Sequence, residues 1–408
     1  MLAVLERLRG CHRRARRQGH GRQGTRVAAV LALLAACLTP GLAVAPAHAA
    51  GDNTTLTVAV LTDVDSFNPF VGIKATSFEL WALTYDYMIG YSMKDMSPQP
   101  TGLATSWDTS DDGLTWTFHI RDGVTWSDDE PLTAADIAYT YNRILDGGTE
   151  AATWGSYLTG AESITAPDAG TVVMTLKKPL ATLPLLPIPI VPEHIWKDVS
   201  EKDVKTYKAE PEDGRPVVGS GPFRLVSGQA SGSTYEFDVN PDYWGGTPTI
   251  DHVVFRVYKS EDPAVQALKK GEVDFVDGIT PLQVKALEGE SGITAQNGDS
   301  PGFDEIAFNT GAKDPQTDEP IGDGNPALGD PKFRHAIGWG MDLDQLIAKV
   351  YQGAGVPGTT IVPPAYSNWR WEPPADELMK YDPDKANQLL DDAGYAKGAG
   401  GFRTMPDG

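Results

Sequence analysis

Leu114, Trp116, Phe118 and Ile120 alternate with Thr115, Thr117, His119 and Arg121. A period of two predicts a strand with one face on a core. Asp122-Gly123 interrupts the run, and Val124 and Trp126 resume it. Because glycine readily takes positive φ, this pattern predicts a hairpin pairing 114–120 with 124–126, with Trp116 and Trp126 on the buried face. Further on the period lengthens. Ile137, Tyr141 and Ile144 lie at i, i+4 and i+7 behind Thr133 and Asp136, the mark of an amphipathic helix opened by a capping box.

The same reading extends in both directions. Residues 56–61 (LTVAVL) predict a buried strand, 65–69 (DSFNP) a turn, and 76–89 a helix burying Phe78, Leu80, Trp81, Leu83 and Met88. Strands are expected at 172–176, 223–226, 235–239, 253–258 and 273–276, with a helix at 262–270. Strand–helix–strand implies an α/β layer. Residues 183–192 (LPLLPIPIVP) read as a packed connector, since Leu and Ile occupy the gaps between prolines. A third region opens at 304, with a strand at 305–309, a polar acidic loop at 311–330 and helices at 333–351 and 383–393. The terminal GFRTMPDG (401–408) ends on a turn dipeptide with no following strand. An unpaired edge there leads us to expect a fragment of a longer protein.

Charge narrows the function classes. The 408 residues carry 34 basic and 55 acidic side chains. Setting aside the eight arginines and one glutamate of residues 1–49 leaves 26 and 54, a net charge of −28. Such a surface repels nucleic acid and anionic lipid. The N-terminus reads as an export signal. Arg13 to Arg26 form a basic region, 27–36 an apolar one, and Ala47-His48-Ala49 a cleavage site before Ala50. Pro40, Gly41 and Pro46 argue against a membrane-spanning helix. Leu34-Ala35-Ala36-Cys37 offers a second exit, with Cys37 as a lipid-bearing N-terminus. The only cysteines are Cys11 and Cys37, so no disulfide holds the body of the protein.

Candidate chemistry is sparse. Gly353-Ala354-Gly355-Val356-Pro357-Gly358 matches G-x-G-x-x-G but follows a predicted helix instead of a strand, so it reads as a loop. Asp108 to Gly113 has the wrong twelfth position and context for a calcium loop. His119, His194, His252 and His335 lack metal-ligand spacing, and no carboxylate pair stands out. Neither a catalytic residue nor a metal ligand is assigned, and no cofactor is implied. A secreted carbohydrate-active enzyme and an inert adhesin remain as alternatives. Trp154 lies in Thr153-Trp154-Gly155-Ser156-Tyr157, outside any clear periodic element, as a lid on the core or a ligand platform.

Several long segments carry a resemblance. They are 103–144 (LATSWDTSDDGLTWTFHIRDGVTWSDDEPLTAADIAYTYNRI), 219–225 (GSGPFRL), 240–246 (NPDYWGG), 267–276 (ALKKGEVDFV), 329–342 (GDPKFRHAIGWGMD) and 382–395 (DPDKANQLLDDAGY). In this order they resemble the family 5 extracellular solute-binding proteins, the peptide/nickel-type receptors of ABC importers. Asp129 stands where the family usually has Gly, and Gly338-Trp339-Gly340 is unusual inside a family helix. The resemblance implies an α/β, two-lobed periplasmic-binding-protein-like fold (type II, cluster C), with the second lobe truncated. It implies a signal peptide at 1–49, lobe I from 50–90 and 210–300, an accessory subdomain at 91–209, and incomplete lobe II at 301–408. Such receptors close on a solute by a hinge motion. Extended peptides are held by main-chain hydrogen bonds. By analogy Gly72, Ile73, Lys74, Ala75, Thr76 and Ser77 face the cleft, and Trp154 matches an aromatic that often touches ligand. The implied ligand is an oligopeptide, with a nickel chelate or other small solute as the alternative. The implied partner is a membrane permease, and the receptor is expected to be a monomer outside the cytoplasmic membrane.

Overall fold

A computed structural model describes residues 54–92, 94–298, 302–314, 316–322 and 324–408. The readings of export, cleavage after Ala49 and lipidation at Cys37 lie outside the described residues. The chain divides into two units. One comprises 54–92 with 98–278, the other 94–97 with 279–408.

The first unit holds two larger sheets, besides a two-stranded ladder that pairs Gly90–Tyr91 with Pro98–Gln99. The strands of the larger sheets are β1 (Thr55–Val60), β2 (Ala104–Thr109), β3 (Thr115–Ile120), β4 (Ala161–Asp168), β5 (Thr171–Leu176), β6 (Phe223–Ser227), β7 (Thr234–Val239), β8 (His252–Val257) and β9 (Phe275–Val276). The main sheet has the order β9-β1-β8-β7-β6. β1 runs parallel to both β8 and β9, while β8, β7 and β6 are antiparallel. β1 is the strand buried on both faces, which explains its continuous apolar run. Ala59 meets Ala264, Ala267 and Val273 on one side. Those small residues lie on and just after the helix Glu261–Lys269, which links β8 to β9. Phe237, Phe255, Tyr235 and Val58 belong to the larger core.

The second sheet is antiparallel, β2-β3-β5-β4. The helix Ala134–Leu145 packs on β4 and β5 through buried Ile137, Tyr141 and Ile144. Its capping box forms as read: the Thr133 hydroxyl accepts from the Ala135 amide at 3.2 Å, and Asp136 accepts from the Thr133 amide at 2.9 Å. Asp136 also accepts from the Glu193 amide at 3.1 Å, which ties the helix start to the end of the proline-rich connector. That connector is packed as expected, with Leu183, Leu186, Ile188, Ile190 and Val191 buried.

Several local readings are corrected. The predicted hairpin between 114–120 and 124–126 does not form. Both edges of β3 are taken by β2 and β5. Asp122-Gly123 does turn, with Gly123 at φ +72°, but Val124 and Trp126 bond instead to Leu132 and Glu130. Trp126 is buried there, whereas Trp116 is only half-buried. Asp129 occupies the tight turn of this segment at φ +71°. That conformation explains why glycine is usual there and why Asp, which tolerates the left-handed region, can replace it.

The helix predicted over 76–89 stops at Thr84. The Thr84 carbonyl accepts from the Gly221 amide at 2.9 Å, and the next residue runs extended. The predicted strand at 305–309 is absent, and Ile306 is exposed. The helix predicted over 333–351 is two, Pro331–Gly340 and Leu343–Val350. The Asp342 carboxylate restarts the helix by accepting from the Gln345 amide. At Gly338 a Cβ would lie 2.7 Å from Met379 Sδ, a contact that the flexible, exposed methionine can relieve by moving.

The regular structure of the second unit is helical apart from a short hairpin pairing Ala312–Lys313 with Pro320–Ile321, and most of its chain is turn and irregular structure. The helix Pro331–Gly340 packs on Pro383–Asp392. Phe333 and Tyr395 meet at 5.0 Å, and the Tyr395 hydroxyl donates to Asp330 at 3.0 Å. Its buried apolar set is small, and Ile306, Val350, Ile361, Trp371 and Phe402 are exposed.

Candidate functional site

The segment 72–77, expected as a loop, is a loop only to Lys74; Ala75, Thr76 and Ser77 open the helix Ala75–Thr84, whose N-cap Lys74 supplies no side-chain cap. A helix start leaves amide donors unsatisfied. Asp65, in the preceding turn, supplies an acceptor at this junction, to the amides just ahead of the helix and to a hydroxyl in its first turn. Its carboxylate accepts from the Ile73 amide at 2.9 Å, the Lys74 amide at 3.3 Å and the Ser77 hydroxyl at 2.6 Å. Burial acts to raise the Asp65 pKa, but these donors outweigh it and hold the carboxyl below its ordinary range. A negative charge at a helix N-terminus is favourable in any case.

Asn68 shapes the other end of the loop. Its carbonyl oxygen accepts from the Val71 and Gly72 amides, each at 3.1 Å. Its side-chain amide donates to the Val204 and Tyr207 carbonyls at 2.8 and 2.9 Å. Gly72 is required by close approach, since a Cβ there would lie 2.7 Å from Trp81 Cζ2. Thr76 donates to the Thr62 carbonyl at 2.8 Å.

The segment therefore sorts into two sets. Gly72, Thr76 and Ser77 are buried and hold it, while Ile73, Lys74 and Ala75 are exposed at its crest. Ile73 is 75% exposed.

Trp154 is not in a loop. It ends the helix Gly148–Trp154 and is 1% exposed. Its indole donates to the Pro69 carbonyl at 2.7 Å, and its neighbour Thr153 donates to the Phe70 carbonyl at 2.8 Å. Phe78 and Tyr157 flank the ring at 5.5 and 5.8 Å. Thus Trp154 supports the backbone that leads into 72–77. The roles of Asp65 and Asn68 were missed in the sequence, where DSFNP signalled only a turn. Asx residues at a turn before a capless helix were the available clue.

One titratable group lies on the same helix. Burial, with the Asp277 carboxylate adding to it, pushes the Glu79 carboxyl up to about 7. The folded protein then holds a proton that the unfolded chain releases near 4.5. Stability from this group is fully present below the unfolded value and falls as pH rises through about 7. Glu79→Gln should therefore melt higher than the parent at pH 8, by about 1–2 kcal/mol after allowance for partial solvation, and equally at pH 4.5. Thermal melts across that range check it; parallel profiles for the two proteins would contradict it.

Among the described residues, no group of His, Cys, Asp and Glu is arranged to hold a metal ion. His119, His194 and His252 each meet one aspartate, Asp108, Asp128 and Asp238 respectively, within 3.3 Å.

A mixed sheet backed by a crossover helix, an antiparallel accessory sheet and a separate unit whose regular elements are mainly helices define the α/β fold of two-lobed solute-binding proteins. The chain belongs to the bacterial extracellular solute-binding proteins, family 5, whose model matches residues 99–407. A Brucella ovis protein, provisionally named an ABC transporter peptide-binding protein, is 30% identical over 380 residues, 90% of this chain and 65% of its own length. The Bacillus subtilis oligopeptide-binding protein AppA, solved with a nonapeptide, is similar in structure with a TM-score of 0.68 and 22% identity over 86% of this chain and 67% of that one. Campylobacter jejuni NikZ, solved with Ni(L-His), is similar with a TM-score of 0.64 and 20% identity over 87% of this chain and 66% of that one. The chain thus spans about two-thirds of the length of these relatives.

Proposed function

We propose that this protein is the receptor of an ABC importer, capturing oligopeptides outside the cytoplasmic membrane and passing them to a membrane permease without transforming them. The exported location follows from the signal reading of residues 1–49. Family membership supports the class. The single observation that carries the site is the segment 72–77, anchored by Asp65 so that Ile73, Lys74 and Ala75 stand exposed at its crest. A rigid crest suits a ligand held by its main chain, because little order has to be gained on binding. Lys74 adds a cation suited to a peptide carboxylate. The alternative ligand, a small metal chelate, rests on the likeness to the NikZ complex.

Asp65→Ala frees three donors at once. It should weaken peptide binding at least about tenfold while lowering stability by only about 1–2 kcal/mol. Titration of the intact gene product with a mixed oligopeptide library, read by native mass spectrometry, tests both proposals. Retention of peptides by the parent and their loss in Asp65→Ala is expected. Exclusive retention of nickel–histidine adducts would favour the alternative, and unchanged peptide affinity in the variant would remove the loop from the site.

A further inference from the structure

The first unit contains a recess of about 230 Å³ that shares no lining residue with the segment 72–77. One lining residue is Tyr85, which ends the helix Ala75–Thr84. Trp196, at the end of the short helix Glu193–Trp196, and Tyr207 give it aromatic walls. Their rings meet edge to face at 4.8 Å and 74°. Pro192, Ile195, Val217 and Val218 supply aliphatic lining. Roughly 150 Å³ is enough for one benzene molecule, so the recess has room for a single six-membered ring with a substituent.

Tyr85 is 1% exposed, and among the described residues its hydroxyl makes no hydrogen bond. The hydroxyl of the half-buried Tyr207 makes none either. A buried hydroxyl without a partner is unfavourable, and folded proteins rarely leave one. Burial, with Tyr207 adding to it, pushes the Tyr85 pKa well above the ordinary tyrosine range. Burial and the Glu212 carboxylate raise that of Tyr207. Both hydroxyls therefore stay neutral, each able to donate and to accept. At the exposed rim Glu212 and Arg215 are opposite in charge, and Glu210 is engaged by the Ala230 amide at 2.8 Å. Water alone would meet the hydroxyls but would leave the aromatic and aliphatic walls hydrated.

We propose that this recess binds a small neutral phenol. Its ring takes the space beside Trp196 and Tyr207, where edge-to-face contacts are favourable. Its hydroxyl gives Tyr85 the partner that the fold does not supply. A sugar fits less well. It carries a hydroxyl on nearly every ring carbon, and the four aliphatic lining residues offer those hydroxyls no partner. A charged ligand gains little from a rim that presents both signs. This inference is independent of the solute proposal, since none of the lining residues belongs to the segment 72–77.

4-Fluorophenol is the probe, followed by fluorine NMR against the intact gene product. Saturable binding with a Kd on the order of 1 mM or below is expected for a ligand of this size. Fluorobenzene, which lacks the hydroxyl, should bind at least about fivefold more weakly. That comparison needs no variant. Tyr85→Phe removes only an oxygen that bonds nothing among the described residues, so it should melt no lower than the parent. It should also bind the two probes equally. Absence of saturable binding, equal affinity of the two probes for the parent, a preference unchanged in Tyr85→Phe, or displacement of 4-fluorophenol by oligopeptide would each overturn the assignment.

Discussion

Gly221→Ala should lower the melting temperature of this protein by roughly 6–12 °C, the equivalent of about 3 kcal/mol. Gly219-Ser220-Gly221-Pro222 lies against the C-terminal end of the helix Ala75–Thr84. A Cβ on Gly221 would fall 2.3 Å from the Leu83 carbonyl oxygen, and one on Gly219 would fall 2.0 Å from that of Thr84. Both obstacles are backbone, so neither can swing aside. Backing away breaks the Gly221 amide bond to Thr84 and loosens the Ser220 hydroxyl that accepts from the buried Asp86 amide at 3.1 Å. Asp86 in turn accepts from the Trp244 indole at 2.9 Å. One methyl group thus disturbs the junction between the first helix and the NPDYWGG segment. Gly155→Ala is the control: its φ is −59° and its Cβ would meet only Ala151 Cβ, at 3.4 Å. That variant should melt within a degree or two of the parent, or slightly above it. Equal melting of all three proteins would refute the close-approach account.

Arg143→Met should cost about 3–5 kcal/mol, because it strands the 2%-exposed Glu150 carboxylate without its cation. It also removes the donors to the Trp196 and Val199 carbonyls, so the segment 196–199 loosens with it. The double variant Arg143→Met/Glu150→Met removes the orphaned charge as well and should recover at least half of the loss. Chemical denaturation of the three proteins measures it. A double variant no more stable than the single one would mean that the carbonyl contacts, and not charge burial, dominate at this position.

Legibility followed the range of the interactions. The helix Ala134–Leu145 was readable because its cap, its stripe and its length are all local, and each agreed with the others. The strands β1, β5, β7 and β8 were readable because their periodicity matches the sheet that buries them. Asp122-Gly123 misled for the opposite reason. The dipeptide does set a left-handed turn, but whether a turn closes a hairpin depends on which strand claims the free edge, and 104–109 and 171–176 claim both. Glu305–Asn309 had the composition of a strand and found no partner among the described residues. At the candidate site, the segment 72–77 was suggested by resemblance, whereas its construction was hidden. Asp65 acts on amides eight and nine positions away, and Trp154 acts on a carbonyl 85 positions away.

By itself, then, the sequence determined the α/β class, the capped helix of the accessory region, the absence of cysteines outside residues 1–49 and, through its ordered motifs, the family. These depend on local periodicity, turn chemistry and composition, which need no distant partner. Only the tertiary structure decided which edges pair, where the first helix stops, that Trp154 is a buried prop and that Glu150 is buried against Arg143. Those outcomes are set by groups far apart in the chain competing for the same carbonyls, edges and charges, and that competition leaves no local periodic signal to read.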